Sequence, residues 1–216
     1  MTDKMLQLID SCHKLTELDC GEFAKQKVSG MHFSIRRFAA EGLGSVSVMT
    51  ASGFLGLMKM DTLIITPTEK DLPLFSYDRV LAMGNDTLIF ELYDTLLGEC
   101  DLRALEQVKQ ANSALPHHDM GEHWYDPIKL DVSLAKKGKK AHRAAFDKCA
   151  EDYLAAFLRC AKTAAVCDSG EKRSKGSVYV EGLLQHGGPS TDVFVKAIGK
   201  EKTAQLFRKV LFATEA

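Results

Sequence analysis

An α+β fold, in which helices cover both faces of one antiparallel sheet as an α/β/α sandwich, is predicted by three features of the sequence. Between Met31 and Leu97 apolar residues recur at a period of two. Turn-forming residues separate these runs at short intervals, which favours antiparallel neighbours. Helix-like segments precede and follow this block.

From Asp3 to Lys27, Met5, Leu8, Ile9, Leu15 and Leu18 suit an amphipathic helix, with a second helix capped near Asp10 or Ser11. Phe33/Ile35, Val46/Val48 and Leu88/Phe90/Leu92 alternate as strands do, and Leu63-Ile64-Ile65 is a continuous apolar run. A further extended run starts at Leu72-Pro73-Leu74-Phe75. Gly42-x-Gly44, Ser52-Gly53, Pro67 and Gly84-Asn85-Asp86 mark the turns. Four or five strands result. Asp101 caps a predicted helix running to Ala111, and Ala141 to Val166 is rich in Ala, Leu and Lys. Ser190 or Thr191 caps a helix to Ile198, ended by Gly199, and Glu201 to Phe212 closes the chain. The connection from Asn112 to Lys140 is long enough to be functional or mobile. With no repeat and no evident linker, residues 1–216 read as one domain.

The chain has 28 Lys+Arg against 29 Asp+Glu, which argues against a nucleic-acid partner, since phosphate binding gains from a basic excess. No apolar run is long enough to span a bilayer, and no secretory signal is visible, so a membrane partner is not expected either. The six cysteines include no CxxC pair and read as thiols in a reducing cytoplasm.

Three clusters invite chemistry. His117-His118-Asp119 with Glu122-His123 carries metal-ligand types without the HExxH spacing, so a loop metal and a solvated loop stay open. Cys149, Cys160 and Cys167 share a face if their helix is continuous, as ligands or as small packed hydrophobes. Lys136-Lys137-Gly138-Lys139-Lys140 can pair with ligand carboxylates, dock an acidic partner, or simply be a solvated loop. Asp61, Asp78 and Glu91 are acids embedded in strand-like runs. If they face a cleft, desolvation raises their pKa values, as proton donors require.

Leu72-Pro73-Leu74-Phe75-Ser76-Tyr77-Asp78, then Phe90-Glu91-Leu92-Tyr93-Asp94, then Trp124-Tyr125-Asp126-Pro127, then Gly188-Pro189-Ser190, Ala197-Ile198-Gly199-Lys200-Glu201 and Val210-Leu211-Phe212 stand in a telling order. In order and spacing these blocks resemble the ferredoxin-dependent bilin reductase superfamily, which includes red chlorophyll catabolite reductase. The resemblance implies an open-chain tetrapyrrole bound between the sheet and the C-terminal helices. It implies no flavin or metal held by the chain, and single electrons from reduced ferredoxin or flavodoxin. Asp78 matches the central proton-donating aspartate. Asp61, counted back without gaps, falls where some members place a histidine. Phe75 and Glu91 lie in the matched blocks, Glu91 replacing a usual aspartate. Gly188 stands where the late helix has an aspartate, with Asp192 four residues on. Arg36 and Arg37 are the expected partners of the propionates. The implied function is reduction of a linear tetrapyrrole; the alternative is a tetrapyrrole-binding protein without the chemistry.

Overall fold

The computed structural model describes residues 1–215. Its centre is an antiparallel sheet of eight strands, ordered β1-β3-β4-β5-β6-β7-β8, with β2 pairing β3 beside β1. The strands are β1 (Leu15–Leu18), β2 (Lys25–Val28), β3 (Met31–Ala40), β4 (Gly44–Gly53), β5 (Met58–Pro67), β6 (Leu74–Ala82), β7 (Asn85–Tyr93) and β8 (Leu134–Lys139). Five helices flank it: α1 (Thr2–Asp10), α2 (Arg103–Ala111), α3 (Arg143–Thr163), α4 (Ser169–His186) and α5 (Pro189–Gln205). A π-helical turn, Leu206–Leu211, follows α5.

Two apolar cores lie on opposite sides of the sheet, which makes the molecule a sandwich. Alternation assigns each strand residue to one of them. Val46, Leu63, Phe75, Tyr77 and Phe90 pack against Phe146, Tyr153 and Phe157 of α3. Met49, Ile64, Leu74 and Tyr93 face Tyr179 and Val180 of α4 and the turn of Phe207 and Leu211. Between β3 and β4 the backbone reverses at Gly42, whose φ of +72° is costly for any residue with a Cβ.

Several elements differ from the sequence expectation. The second N-terminal helix is absent: β1 and β2 occupy that stretch. The Asp10 carboxylate accepts the Leu15 N–H at 2.8 Å, redirecting the chain just after α1 ends. The free edge of β3 then supplies backbone partners to both short strands, and tertiary pairing overrides local periodicity. Lys136 to Lys140 is not a loop, because β8 pairs with β7 through Lys139. Lysines on an edge strand discourage further strand pairing. Lys136 turns inward, and its ammonium donates to the Leu115 carbonyl at 3.0 Å. Helix α4 was not expected, since its buried face is Lys172, Gly176, Tyr179 and Val180. No apolar stripe announces it, although the Asp168 side chain caps it by accepting the Glu171 N–H at 2.9 Å. Cys167 lies beyond the end of α3 and so leaves the predicted cysteine face, whereas Cys149 and Cys160 are buried in it. At Gly199 the expectation holds: its φ of +81° and ψ of 164° are not helical, so α5 is two helical segments meeting at that residue, the second running to Gln205.

Lys172 is a fully buried cation. Its ammonium donates to Asp71 at 2.7 Å and to the Thr95 carbonyl at 2.6 Å, while Asp71 also accepts the N–H groups of Leu97 and Gly98. This cluster ties the first turns of α4 to the loops on either side of β6 and β7.

Candidate functional site

Between the sheet and the C-terminal helices lies a cavity of about 370 Å³, a size at the lower end of small-molecule sites. Its floor follows strand alternation: Met60, Thr62 and Ile64 from β5; Ser76, Asp78 and Val80 from β6; Ile89, Glu91 and Tyr93 from β7. Tyr179 and Leu183 of α4, the Gly187-Gly188 corner, and Phe207, Leu211 and Phe212 make the roof. One side is closed by the loop carrying Met120, His123, Trp124 and Tyr125. The space is mostly apolar, with the Asp78 and Glu91 carboxyls among its lining.

Asp78 sits opposite Thr62 in the β5–β6 register. The Thr62 hydroxyl donates to its carboxylate at 2.5 Å, and the Ser76 hydroxyl lies at 3.5 Å from the other oxygen. Burial raises the Asp78 pKa from 3.8 to about 6, aided by the nearby Glu91 charge and resisted by those two hydroxyls. A carboxyl so placed retains a proton well above the usual carboxylate range. Glu91 is buried beside it, accepts the Tyr93 hydroxyl at 2.7 Å, and lies 3.9 Å from the Lys129 ammonium. Tyr93 in turn stacks on Tyr179 with ring centroids 4.0 Å apart. Burial pushes the Tyr93 and Tyr179 hydroxyls well above their ordinary pKa, so both remain neutral.

Trp124 lies against α4, stacked on His186 and Tyr179 at 5.1 and 5.9 Å. It fits there because residue 182 is glycine: a Cβ at Gly182 would stand 2.3 Å from the indole ring. The Trp124 indole nitrogen and His123 Nδ1 are both buried without a hydrogen-bond partner. Both residues belong to the cavity wall. Next to the cavity, a smaller hollow of about 240 Å³ shares Glu91 and Met120 with it and is lined by His117, His118, Asp119 and Lys129. Burial and the Lys137 charge lower the His118 pKa. Among the described residues no group of three or more His, Cys, Asp and Glu side chains gathers to hold a metal ion.

Of the residues singled out in the sequence, Asp78, Glu91 and Gly188 meet at this cavity. Asp61 does not. One residue before Thr62, it projects from the opposite face of β5, 31% exposed and 3.7 Å from the Met1 amino group. A register offset of one exchanges the two faces of a strand, so the ungapped count back from Asp78 misses its neighbour by one residue. Phe75 is corrected for the same reason: it faces α3, its ring 4.8 Å from that of Phe157. Arg36 lies on that face too and forms a bidentate surface pair with Glu17 at 2.8 and 2.9 Å. Arg37, set opposite Ser47 near the sheet edge, does not line the cavity. Asp192 is exposed on the first turn of α5 and borders Gly187 rather than the cavity. Gly188 begins that helix with φ +157° and with open space where a Cβ would be.

The sequence reading missed Thr62, Tyr93, Tyr179 and the Gly182–Trp124 fit. Alternation from Asp78 and Glu91 identifies Ser76 and Tyr93. Nothing local reveals the residues of α4.

No protein-family model matches the chain, and no curated protein does. Among solved structures, the selenomethionine form of phytochromobilin synthase from tomato, in complex with biliverdin, is similar at a TM-score of 0.80. The match covers 99% of this chain and 82% of that one at 12% identity. The order of the sequence blocks and the three-dimensional likeness agree on the architecture: the chain has the fold of that tomato protein.

Proposed function

We propose that this chain binds a linear tetrapyrrole in the cavity above β5–β7 and that Asp78 protonates the pigment as it is reduced. The carrying observation is a carboxyl, its pKa raised to about 6, in the lining of a cavity walled by Tyr93, Trp124, Tyr125, Tyr179, Phe207 and Phe212. The tomato protein of the same fold was solved with biliverdin, which supports the ligand class.

Reducing one double bond of a conjugated pigment takes up two electrons and two protons. Reduced ferredoxin or flavodoxin supplies the electrons one at a time; the chain holds no flavin or metal in this reading. Asp78 gives one proton, assisted by Thr62 and Ser76, whose hydroxyls stabilise the carboxylate it leaves behind. Glu91, next to the neighbouring hollow, is placed to pass a proton inward. The cavity is lined by no lysine or arginine. Pigment propionates therefore fall to Lys129, His117 and His118 in that hollow, in place of Arg36 and Arg37.

Gly188 supports a second reading, a tetrapyrrole-binding protein without turnover, because the late helix offers no acid at that point. Anaerobic mixing with biliverdin, followed by a ferredoxin-based reducing system, separates the two. Progressive loss or blue shift of the pigment's long-wavelength band marks the reductase, whereas a shifted but persistent band marks the binder. An unchanged spectrum rejects both.

A further inference from the structure

Strand register brings three turns together at one end of the sheet. Val28, Met31, Gly53, Met58, Ala82, Asn85 and Lys139 pair in succession across it, from β2 to β8. Beyond this row project the β4–β5 turn, Phe54-Leu55-Gly56-Leu57, and the β6–β7 turn at Met83-Gly84. Leu55 is 104% exposed, Met83 90% and Leu57 71%. Phe54, on the same turn as Leu55 and Leu57, is 58% exposed, so that the two turns together expose four large apolar side chains. Of the described non-glycine residues in the left-handed region, all but Ala213 sit on these turns: Ser29, Phe54, Leu55 and Met83. At Ser29 and Met83 this is the backbone that two-residue hairpin turns require, and at Phe54 and Leu55 it coincides with two exposed apolar side chains.

One row inward, on the face away from the pigment cavity, Lys27 pairs with His32, His32 with Ser52, and Ser52 with Lys59. With Lys25 they line a shallow groove of about 640 Å³, in which Asp61 is the acid. Lys139, paired with Asn85, adds a cation beside the Met83 turn on the other face of the sheet. Apolar tips are thus backed by Lys25, Lys27 and Lys59 on one face of the sheet.

We infer that this end of the sheet docks on an anionic lipid surface, with Leu55, Leu57 and Met83 entering the headgroup boundary and Lys25, Lys27 and Lys59 pairing with lipid phosphates. Charge complementarity selects this occupant. Protein interfaces are depleted of lysine, whereas here lysines stand directly behind the apolar tips. Protruding apolar tips with flexible ammonium groups behind them suit a soft, diffuse layer of negative charge. Surface adsorption is a different demand from spanning, and no helix of the described residues is long and apolar enough to cross a membrane.

The test is co-sedimentation of the full chain with phosphatidylcholine vesicles, with and without about 30% phosphatidylserine. The wild type is expected to pellet with the anionic vesicles only, less so at high salt. Two variants, Leu55→Ser/Leu57→Ser/Met83→Ser and Lys25→Gln/Lys27→Gln/Lys59→Gln, should each lower partitioning at least about tenfold with an unchanged melting curve. The proposal fails if the wild type ignores anionic vesicles, or if either folded variant partitions as the wild type does. It also fails if the lysine variant loses only self-association or binding of an acidic protein.

Discussion

At Asp78, desolvation and hydroxyl donation oppose each other, and desolvation prevails. Because folding raises this pKa from 3.8 to about 6, the ionised carboxyl costs stability. That cost is absent below about pH 4, grows through the interval and is complete above pH 6. Asp78→Asn should therefore melt higher than the wild type at pH 8 and nearly level with it at pH 4, by calorimetry. The same substitution should leave biliverdin affinity within a few-fold and slow turnover at least ~10²-fold, if the side chain donates a proton. In the wild type, kcat should decline as pH rises through about 6. Asp78 was legible in the sequence, because an acid inside an apolar run marks either a turn or a pocket. Asp61 satisfied the same criterion and faces the other way. Only the strand register, fixed by the chain's long-range pairing, distinguishes the two.

Helix α4 is held by interactions that hydropathy does not display. Lys172→Met would leave the Asp71 carboxylate buried without its cation. Burial alone would raise that carboxyl, and at present the Lys172 ammonium and two backbone N–H groups outweigh it and hold the pKa below its ordinary value. Breaking such a pair costs about 3–5 kcal/mol, and the loss should appear as a markedly lower melting temperature. Gly182→Ala tests the other end of the helix. The new methyl meets Trp124, so pigment affinity should weaken while the melting temperature falls only slightly. The strands of the central block were legible because each carries either a two-residue rhythm, as in β3, β4 and β7, or a continuous apolar run between turn residues, as in β5. The edge strands β1, β2 and β8 were not, since short polar segments become strands only when a neighbour offers its backbone. A helix whose buried face is Lys, Gly, Tyr and Val likewise depends on partners far away in the chain.

The two cores give the whole molecule a division of labour. The α3 side is filled by interlocked aromatic rings, Phe90 stacking on Tyr153 with centroids 4.2 Å apart. The other side keeps a gap. A ligand filling it adds contacts that the unfolded chain lacks, so biliverdin should raise the melting temperature in a concentration-dependent way. Amide exchange should slow from Gly187 to Gly199, at the corner and bend of α5. Overall architecture was readable from the alternation of strand and helix patterns. The gap itself was not, because a cavity is a property of how two layers meet.

Trp124 is the chain's one tryptophan, and it stands in the cavity wall. Its near-ultraviolet glow overlaps the absorption of bilin pigments, so an occupied site should go dark by energy transfer without any label being attached. The protein thus carries its own optical gauge of occupancy, one that follows loading and release in real time whether or not the pigment is ever chemically changed.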